Sequence, residues 1–300
     1  MPSHKRDWKQ YNKQLINRGN LNFWVTKKAL KFWLGKKSKK NGRPLTYSNE
    51  AIEAMLILRF KYQLPLREME GLFHCLAKWM NIPRVPSYTQ VCRMMQSILL
   101  PKNLVNKKSV TDLVMDATGL KVYGEGEWCA KRYGGKSKWV KLHLAIDAKT
   151  GKLILAEVSD EYTHDTAYLE KALSKCNQKK GTVLFDGIAD SKKCYEKCQN
   201  HNKNLLTPPN RRAILRKELI YEKRNEAIRA IKVLGGDEIA RIIWGKLTGY
   251  SRRSEVESAI AKWKSLLGEK LKSKELRRVQ KEVELKAIIF NQTISMATKV

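Results

Sequence analysis

The sequence predicts an α/β protein in which an all-helical N-terminal region precedes a mixed sheet flanked by helices. Two observations favour this fold class. Apolar residues recur at helical spacing between about residues 46 and 100, whereas short apolar runs that suit buried strands begin after Lys108. The later strand segments alternate with helical ones, which is the pattern of α/β folds.

Net charge indicates the class of partner. The 300 residues, enough for about two domains, contain 60 Lys and Arg against 29 Asp and Glu, a formal net charge of +31. Because so basic a chain repels itself, a polyanionic partner is the simplest reason for the charge, and nucleic acid is the leading candidate. The longest apolar runs, such as 54–58, are far shorter than the ~18 residues of a membrane span, and the N-terminus lacks the apolar core of a signal peptide. We therefore expect a cytoplasmic protein without a membrane partner.

Residues 1–45 form an arm that combines aromatic side chains with a basic run. The aromatic residues are Trp8, Tyr11, Phe23, Trp24, Phe32 and Trp33, and the basic run is Lys36, Lys37, Lys39, Lys40 and Arg43. Aromatic residues among cations can bind nucleic acid. They can equally pack an N-terminal segment onto the core, and the composition leaves both interpretations open.

The region 46–105 is predicted to be helical and to bind DNA. Residues 49–62 carry apolar side chains at helical spacing, Pro65 opens a second helix that runs to residue 80, and Ser87 with Gln90 suits a capping box before a third. Three short helices on a basic chain are compatible with a helix-turn-helix reader, although a purely structural bundle stays open. If the third helix binds DNA, four of its side chains would lie in a groove of the duplex: Tyr88, Thr89, Gln90 and Arg93.

Strands dominate the following region. The pattern predicts three strands, a helix, a strand, a helix and a strand, at 113–123, 139–147, 153–158, 167–176, 181–186, 191–200 and near Leu205. This order is that of a ribonuclease-H-like fold, which we assign to residues 110–292. A charge-dense connection of one or two basic helices is expected within it at about 207–245.

Two aspartates, Asp116 and Asp186, each close a run of residues of the kind that is usually buried. A carboxylate there costs several kcal/mol of desolvation unless it is paired, hydrogen-bonded or bound to metal. Ligands of open α/β sheets collect at the carboxyl ends of strands. One such Asp is most often a turn residue or a helix cap, but two are harder to explain in that way. By contrast, Asp147 is expected at a hairpin turn and Asp190 as a helix N-cap.

A third carboxylate comes from a predicted helix at 250–264, whose apolar stripe continues to a natural stop at Gly268. At about 100° per residue, four polar side chains fall within an arc of roughly 60°: Tyr250, Arg253, Glu257 and Lys264. Glu255 should face away from them. Ser254 and Glu257 also suit a capping box, in which Glu257 would only satisfy the helix start, and this segment alone leaves both interpretations open.

Several segments resemble successive blocks of the DDE-type transposases of bacterial insertion sequences. The most specific is 249–264, with the spacing Y-x2-R-x3-E-x6-K around Glu257. The others are DATGLKVYGEGEW (116–128), KLHLAID (141–147), LFDGIADSKKC (184–194) and LTPPNRR (206–212). The resemblance places the family's catalytic, metal-binding triad on Asp116, Asp186 and Glu257, accompanied by the DNA-contacting residues Tyr250, Arg253 and Lys264. The chain departs from the family at Ile188 and Ala189, where an aromatic residue usually stands.

The resemblance implies an enzyme that binds the terminal inverted repeats of its element and uses two Mg²⁺ ions, replaceable by Mn²⁺, to cut and join DNA. The partners it implies are double-stranded DNA, as element ends and target, and at least one further copy of the chain, because two ends must be held together. Such a protein would lie with the bacterial nucleoid. Two alternatives remain: a nuclease on the same fold that cuts without joining, and a repressor derived from a transposase that binds DNA without catalysis.

Overall fold

The computed structural model describes residues 7–35, 46–122 and 139–298. The basic run predicted at 36–43 lies outside the described residues, and so do residues 123–128 of the block 116–128. Within the described ranges, no helix combines the length and the apolar character that crossing a membrane requires.

The chain divides into two compact units. The first comprises Met1–Pro101, Leu266–Gly268 and Lys272–Val300, and the second comprises Lys102–Ser265 and Glu269–Leu271. Each is described by itself below.

The described parts of the first unit are helical. Its N-terminal helices are α1 (Trp8–Asn17), α2 (Lys27–Lys31), α3 (Asn49–Lys61), α4 (Leu66–Met80) and α5 (Tyr88–Met94). The Ser48 hydroxyl caps α3 by accepting a hydrogen bond from the Ala51 N–H at 3.0 Å. Helix α4 starts after Pro65 and ends where Asn81 takes a left-handed conformation with φ +52°. The three helices predicted between residues 49 and 100 are confirmed.

The second unit is built on a five-stranded mixed sheet. Its strands are β1 (Leu113–Lys121), β2 (Trp139–Asp147), β3 (Leu153–Ser159), β4 (Gly181–Leu184) and β5 (Lys203–Leu206). They lie in the order β3-β2-β1-β4-β5; β1, β2 and β3 pair antiparallel, whereas β4 pairs parallel to both β1 and β5. The predicted mixed sheet flanked by helices is confirmed, and its strand order is consistent with a ribonuclease-H-like fold.

Two helices cover one face of this sheet: α6 (Leu169–Leu173) and α7 (Lys192–Asn200). Their buried side chains join Leu113, Met115 and Val183 in one apolar cluster. Helix α6 is shorter than the predicted 167–176, because residues Asp165–Tyr168 form a 3₁₀ turn instead. Apolar packing on one side of the sheet thus holds the ends of β1 and β4 in place.

The connection after β5 contains two helices, as predicted: α8 (Glu222–Val233) and α9 (Glu238–Thr248). They pack on each other through Ala227, Ile231, Ala240 and Trp244. The helix predicted from Tyr250 differs in its first turn, because Tyr250–Arg253 is a 3₁₀ turn and helix α10 is Ser254–Leu267. Gly268, with φ +79°, ends α10 as expected. The last helix, α11 (Leu276–Thr298), belongs to the first unit.

Candidate active site

Asp116 is the fourth residue of β1 and so lies within the strand, not at its carboxyl end as the sequence pattern suggested, whereas Asp186 follows the end of β4. Leu113 is opposite Val183 and Val114 is opposite Leu184 in this parallel pair. Continuing that register by two residues sets Asp116 beside Asp186, just past the end of β4. Asp186 therefore lies at the carboxyl end of β4, where ligands of such sheets bind, and the longer strand β1 carries Asp116 beside it.

Asp186 is held by the backbone around it. Its side chain accepts a hydrogen bond from the Ile188 N–H at 3.2 Å and so starts the 3₁₀ turn Gly187–Ala189. Its carbonyl oxygen accepts a hydrogen bond from the Thr207 hydroxyl at 2.5 Å, which ties the residue following β5 to the end of β4. The sequence reasoning did not single out Thr207, although the block 206–212 contains it.

Arg253 joins the other two carboxylates. Its guanidinium donates from Nη1 to Asp116 Oδ2 at 3.2 Å and from Nη2 to Glu257 Oε1 at 2.7 Å. The Glu257 side chain is 55% exposed, whereas Asp116 and Arg253 are mostly covered. Since α10 begins at Ser254 itself, that residue lies one position past the N-cap that a capping box requires. The structure therefore favours the interpretation of Glu257 as a site residue over that of a cap.

The proximity of these charged groups shifts the pKa values of Asp116, Arg253 and Tyr250. Burial raises the pKa of Asp116, and the Asp186 and Glu257 carboxylates raise it further, against lowering by the Ala117 N–H and by Arg253. Burial lowers the pKa of Arg253, but Tyr250, Asp116 and Glu257 together raise it above its ordinary value. Burial, with Asp186 and Asp116, raises the pKa of Tyr250 to about 12 in spite of Arg253. The carboxylates of Asp186 and Glu257 thus both repel that of Asp116, and Arg253 offsets part of this repulsion.

The oxygen donors at this edge suit a hard cation such as Mg²⁺. As arranged, however, no group of three or more His, Cys, Asp or Glu side chains among the described residues could hold a metal ion. The cation between Asp116 and Glu257 is instead the guanidinium of Arg253. The donor chemistry therefore fits the expected metal, and metal binding requires Arg253 to give up these carboxylates.

Of the two other predicted companions of Glu257, Tyr250 lies near Arg253, Asp186 and Asp116, which all influence its pKa, whereas Lys264 lies further away. Tyr250 packs its ring against Trp244, with ring centroids 5.6 Å apart. The Lys264 ammonium lies 3.7 Å from the Glu269 carboxylate. Two helical turns separate Lys264 from Glu257, about 10 Å along the helix axis. Arg253 is therefore the companion that contacts the carboxylates, and a DNA-contacting role for Tyr250 and Lys264 stays a prediction.

The predicted DNA-reading residues of α5 differ in their availability. Arg93 is exposed. Gln90 is committed to the capping box, in which its Oε1 accepts from the Ser87 N–H at 3.0 Å. The Thr89 and Ser87 hydroxyls are 3.0 Å apart, and the Tyr88 ring lies under the guanidinium of Arg67. Groove contact by these residues stays a prediction.

Asp190 is not the helix N-cap that the sequence suggested. Its carboxylate accepts a hydrogen bond from Arg224 Nε at 2.8 Å, and both side chains are at least 90% buried. It also accepts from the Tyr195 hydroxyl at 3.1 Å and the Asn210 N–H at 3.2 Å. The partner Arg224 is 34 positions away, so no local pattern could indicate this ion pair. Asp147 does lie at the expected turn, with Thr150 donating to its carboxylate at 2.5 Å.

Asp116→Asn is expected to stabilise the fold. Burial and neighbouring carboxylates raise the pKa of Asp116, so its charged form costs stability above that pKa, and the cost disappears as the pH falls through it. At pH 7 the variant should gain about 1 kcal/mol, or roughly 2–4 °C in midpoint. Thermal unfolding at pH 7 and at pH 4 checks this, because the gain should shrink at the lower pH. Glu255→Gln, on an exposed side chain, is the control; an Asp116→Asn protein less stable than wild type at pH 7 would contradict the prediction.

Comparison with known families identifies the chain. Two family models, both described as Transposase DDE domain, match residues 16–125 and 109–292. The chain therefore belongs to the DDE transposases. Membership means an enzyme of DNA recombination with the nuclease and transposition activities of that class, and it implies DNA as a partner.

Proposed function

We propose that this transposase binds the terminal inverted repeats of an insertion sequence, cleaves DNA at the element's ends and joins the freed 3′ ends to target DNA. The observation that carries the proposal is the meeting of three carboxylates at one sheet edge: Asp116 level with Asp186, and Glu257 linked to Asp116 through Arg253. These side chains come from separate elements of the second unit. Few structural roles would require three acids to lie so close together that two of them add to burial in raising the pKa of the third, Asp116.

Asp116, Asp186 and Glu257 would hold Mg²⁺, for which Mn²⁺ can substitute. Two such ions supply an activated water or hydroxyl on one side of the phosphodiester and stabilise the leaving oxygen on the other. The protein itself contributes the positioning of the carboxylates. The tie from Thr207 to the Asp186 carbonyl and the register of β1 with β4 hold the two aspartates in place.

Arg253 has two roles in this proposal. In the structure it pairs with both Asp116 and Glu257, and if these carboxylates held a metal ion, its guanidinium would be available to bind a DNA phosphate through two donors. Lys264 would contact a phosphate further along the strand. Tyr250, whose pKa of about 12 keeps the hydroxyl protonated at neutral pH, would orient the strand end as a hydrogen-bond donor.

Binding to the repeats would draw on the net charge of +31 and on α5, with Tyr88, Thr89, Gln90 and Arg93 near a groove. Because two element ends must be cut and joined together, at least a homodimer forms on DNA. In a bacterial cell its DNA partner would keep the protein at the nucleoid, in the cytoplasm.

One observation favours a second candidate, a DNA-binding repressor without catalysis. Arg253 lies between Asp116 and Glu257 and donates a hydrogen bond to each of them. In such a protein the arginine would be a permanent structural partner of the acids. The two candidates differ in whether divalent metal produces any chemistry.

The test uses the full chain, a labelled duplex carrying a terminal repeat of its element and a supercoiled target plasmid. With Mg²⁺ we expect labelled DNA to become joined to the plasmid, and with EDTA we expect none. Cleavage without joining would indicate a nuclease on this fold. Binding with neither cleavage nor joining, in Mg²⁺ and in Mn²⁺, would leave the repressor as the function.

A further inference from the structure

Helix α9 is apolar on two opposite faces, of which only one is covered. Ala240 and Trp244 on the first face pack against α8. The second face carries four large aliphatic side chains that are 65%, 54%, 38% and 74% exposed: Ile239, Ile242, Ile243 and Leu247. At about 100° per residue they fall within an arc of roughly 140°, so they form one continuous stripe, which we call the α9 stripe.

The α9 stripe is more apolar than a helix face that stays in water. Single exposed apolar residues are ordinary on a protein surface, but a helix that is apolar all round is normally buried all round. Four adjacent aliphatic side chains also approach the size, roughly a few hundred Å², at which an exposed apolar patch marks an interaction site. We therefore expect a partner to cover the stripe.

The charges around the stripe indicate the kind of partner. Residues 237–248 contain two acidic and two basic residues, so the helix with its N-cap adds nothing to the net charge of +31. The acidic residues Asp237 and Glu238 stand at the start of the helix, and Lys246 stands near its end. A DNA duplex would meet acidic and aliphatic side chains here instead of a row of cations, so DNA does not suit this face.

A second copy of the same helix does suit it. If two copies of α9 pack antiparallel about a two-fold axis near Ile242 and Ile243, the aliphatic side chains of one stripe meet those of the other. The same packing brings the start of one helix beside the end of its partner, so the exposed Glu238 of each copy faces the exposed Lys246 of the other. A stripe that is apolar at its centre and oppositely charged towards its ends is self-complementary, as a two-fold interface requires.

We propose that two copies of this transposase associate in the absence of DNA through the α9 stripe, by antiparallel packing of their α9 helices. The reason to expect a second copy rests on the proposed function, since two element ends must be held together. Four apolar and two charged residues are few beside the roughly 20–30 that each partner contributes to a standard interface, and copies at +31 repel each other. Association of the free chain should therefore be weak, and it should strengthen as salt screens the net charge.

Sedimentation velocity of the full chain tests the apolar contact. Without DNA, in about 0.3 M NaCl, the wild type should shift from monomer towards dimer between about 1 and 100 µM. Ile242→Ser with Leu247→Ser should raise the dissociation constant at least about tenfold, because two aliphatic side chains then leave the interface. Val233→Ser, on an aliphatic residue 87% exposed at the end of α8, is the matched control and should associate as the wild type does.

A charge exchange tests the antiparallel packing. Glu238→Lys alone or Lys246→Glu alone sets like charges opposite each other at both ends of the interface, so each should raise the dissociation constant about fivefold. The two changes together restore opposite charges and should return it to within about twofold of wild type. Glu238 also contacts Arg211 of its own chain at 2.8 Å, so Arg211→Gln, which should associate as the wild type does, controls for the loss of that contact.

A wild type that stays monomeric at the highest concentration, both alone and on a duplex carrying a terminal repeat, would overturn the proposal and leave the stripe to a partner of another sequence. An unchanged dissociation constant for Ile242→Ser with Leu247→Ser would overturn it by placing self-association on another surface. Failure of the charge exchange to restore association would overturn the antiparallel packing. Joining of DNA by a monomeric wild type would leave the proposed function standing without this interface, whereas association through the stripe in a protein that neither cuts nor joins DNA would do the reverse.

Discussion

Glu257→Gln is expected to lower strand transfer by at least about a thousandfold, which corresponds to about 4 kcal/mol at 1.36 kcal/mol per tenfold. The substitution keeps the size of the side chain but removes the charge that a divalent ion needs. It also removes the charge that faces Arg253 at 2.7 Å. Because the Glu257 side chain is 55% exposed, the fold should tolerate the change.

The matched control is Glu255→Gln, the same chemical change two positions earlier on α10. Glu255 faces away from the carboxylates and lies 3.6 Å from Arg252, so strand transfer should stay within about twofold of wild type, as for most exposed substitutions. The measurement is the initial rate of joining in Mg²⁺, with DNA affinity followed by mobility shift. Equal rates for wild type and Glu257→Gln would remove Glu257 from the mechanism. Loss of binding along with joining would instead give it a role in holding DNA.

The sequence revealed the acidic residues of the site more readily than their proximity in the fold. Asp116 and Asp186 stand out because each closes an apolar run, and that pattern is local. Their adjacency depends on β1 pairing with β4 across an offset of 70 residues, as Leu113 opposite Val183 shows. No periodicity within either strand carries that information. The order of the predicted elements and the family resemblance pointed to the arrangement.

The polar strip around Glu257 was predicted on helical geometry that its first turn does not have. Tyr250–Arg253 forms a 3₁₀ turn, in which residues three apart lie on the same side, so Tyr250 and Arg253 still share a face. The strip therefore survives the change of helix type. Angular position says nothing about distance along the axis, however, and Lys264 lies beside Glu269 instead of the carboxylates.

Long-range pairing also explains what the sequence reasoning missed in the loop after β5. Asp190 looked like a helix cap, since Asp often stands before a helix and Ser191–Lys192 follow. Its actual partner, Arg224, is one cation among the 60 of the chain, and nothing in the spacing marks it.

Arg224→Met is expected to destabilise the protein by about 3–5 kcal/mol, because it leaves the carboxylate of Asp190 buried without its cation. The Asp190 side chain is only 5% exposed, and its remaining donors are the Tyr195 hydroxyl and the Asn210 N–H. The change also removes the donor that holds the Ile214 carbonyl. Urea unfolding, followed through the midpoint at unchanged slope, measures the loss. Arg229→Met on the exposed face of α8 is the control and should cost less than about 0.5 kcal/mol.

A double variant separates the charge from the packing in this prediction. Asp190→Asn keeps one acceptor oxygen, for either the Tyr195 hydroxyl or the Asn210 N–H, but it removes the buried charge, so Asp190→Asn with Arg224→Met should be more stable than Arg224→Met alone. The coupling between the two sites should be about 1–3 kcal/mol. Additive losses would mean that Arg224 acts through the Ile214 carbonyl and the ring of Tyr221, not through the ion pair. A midpoint for Arg224→Met equal to that of Arg229→Met would show that neither contact stabilises the loop that follows β5.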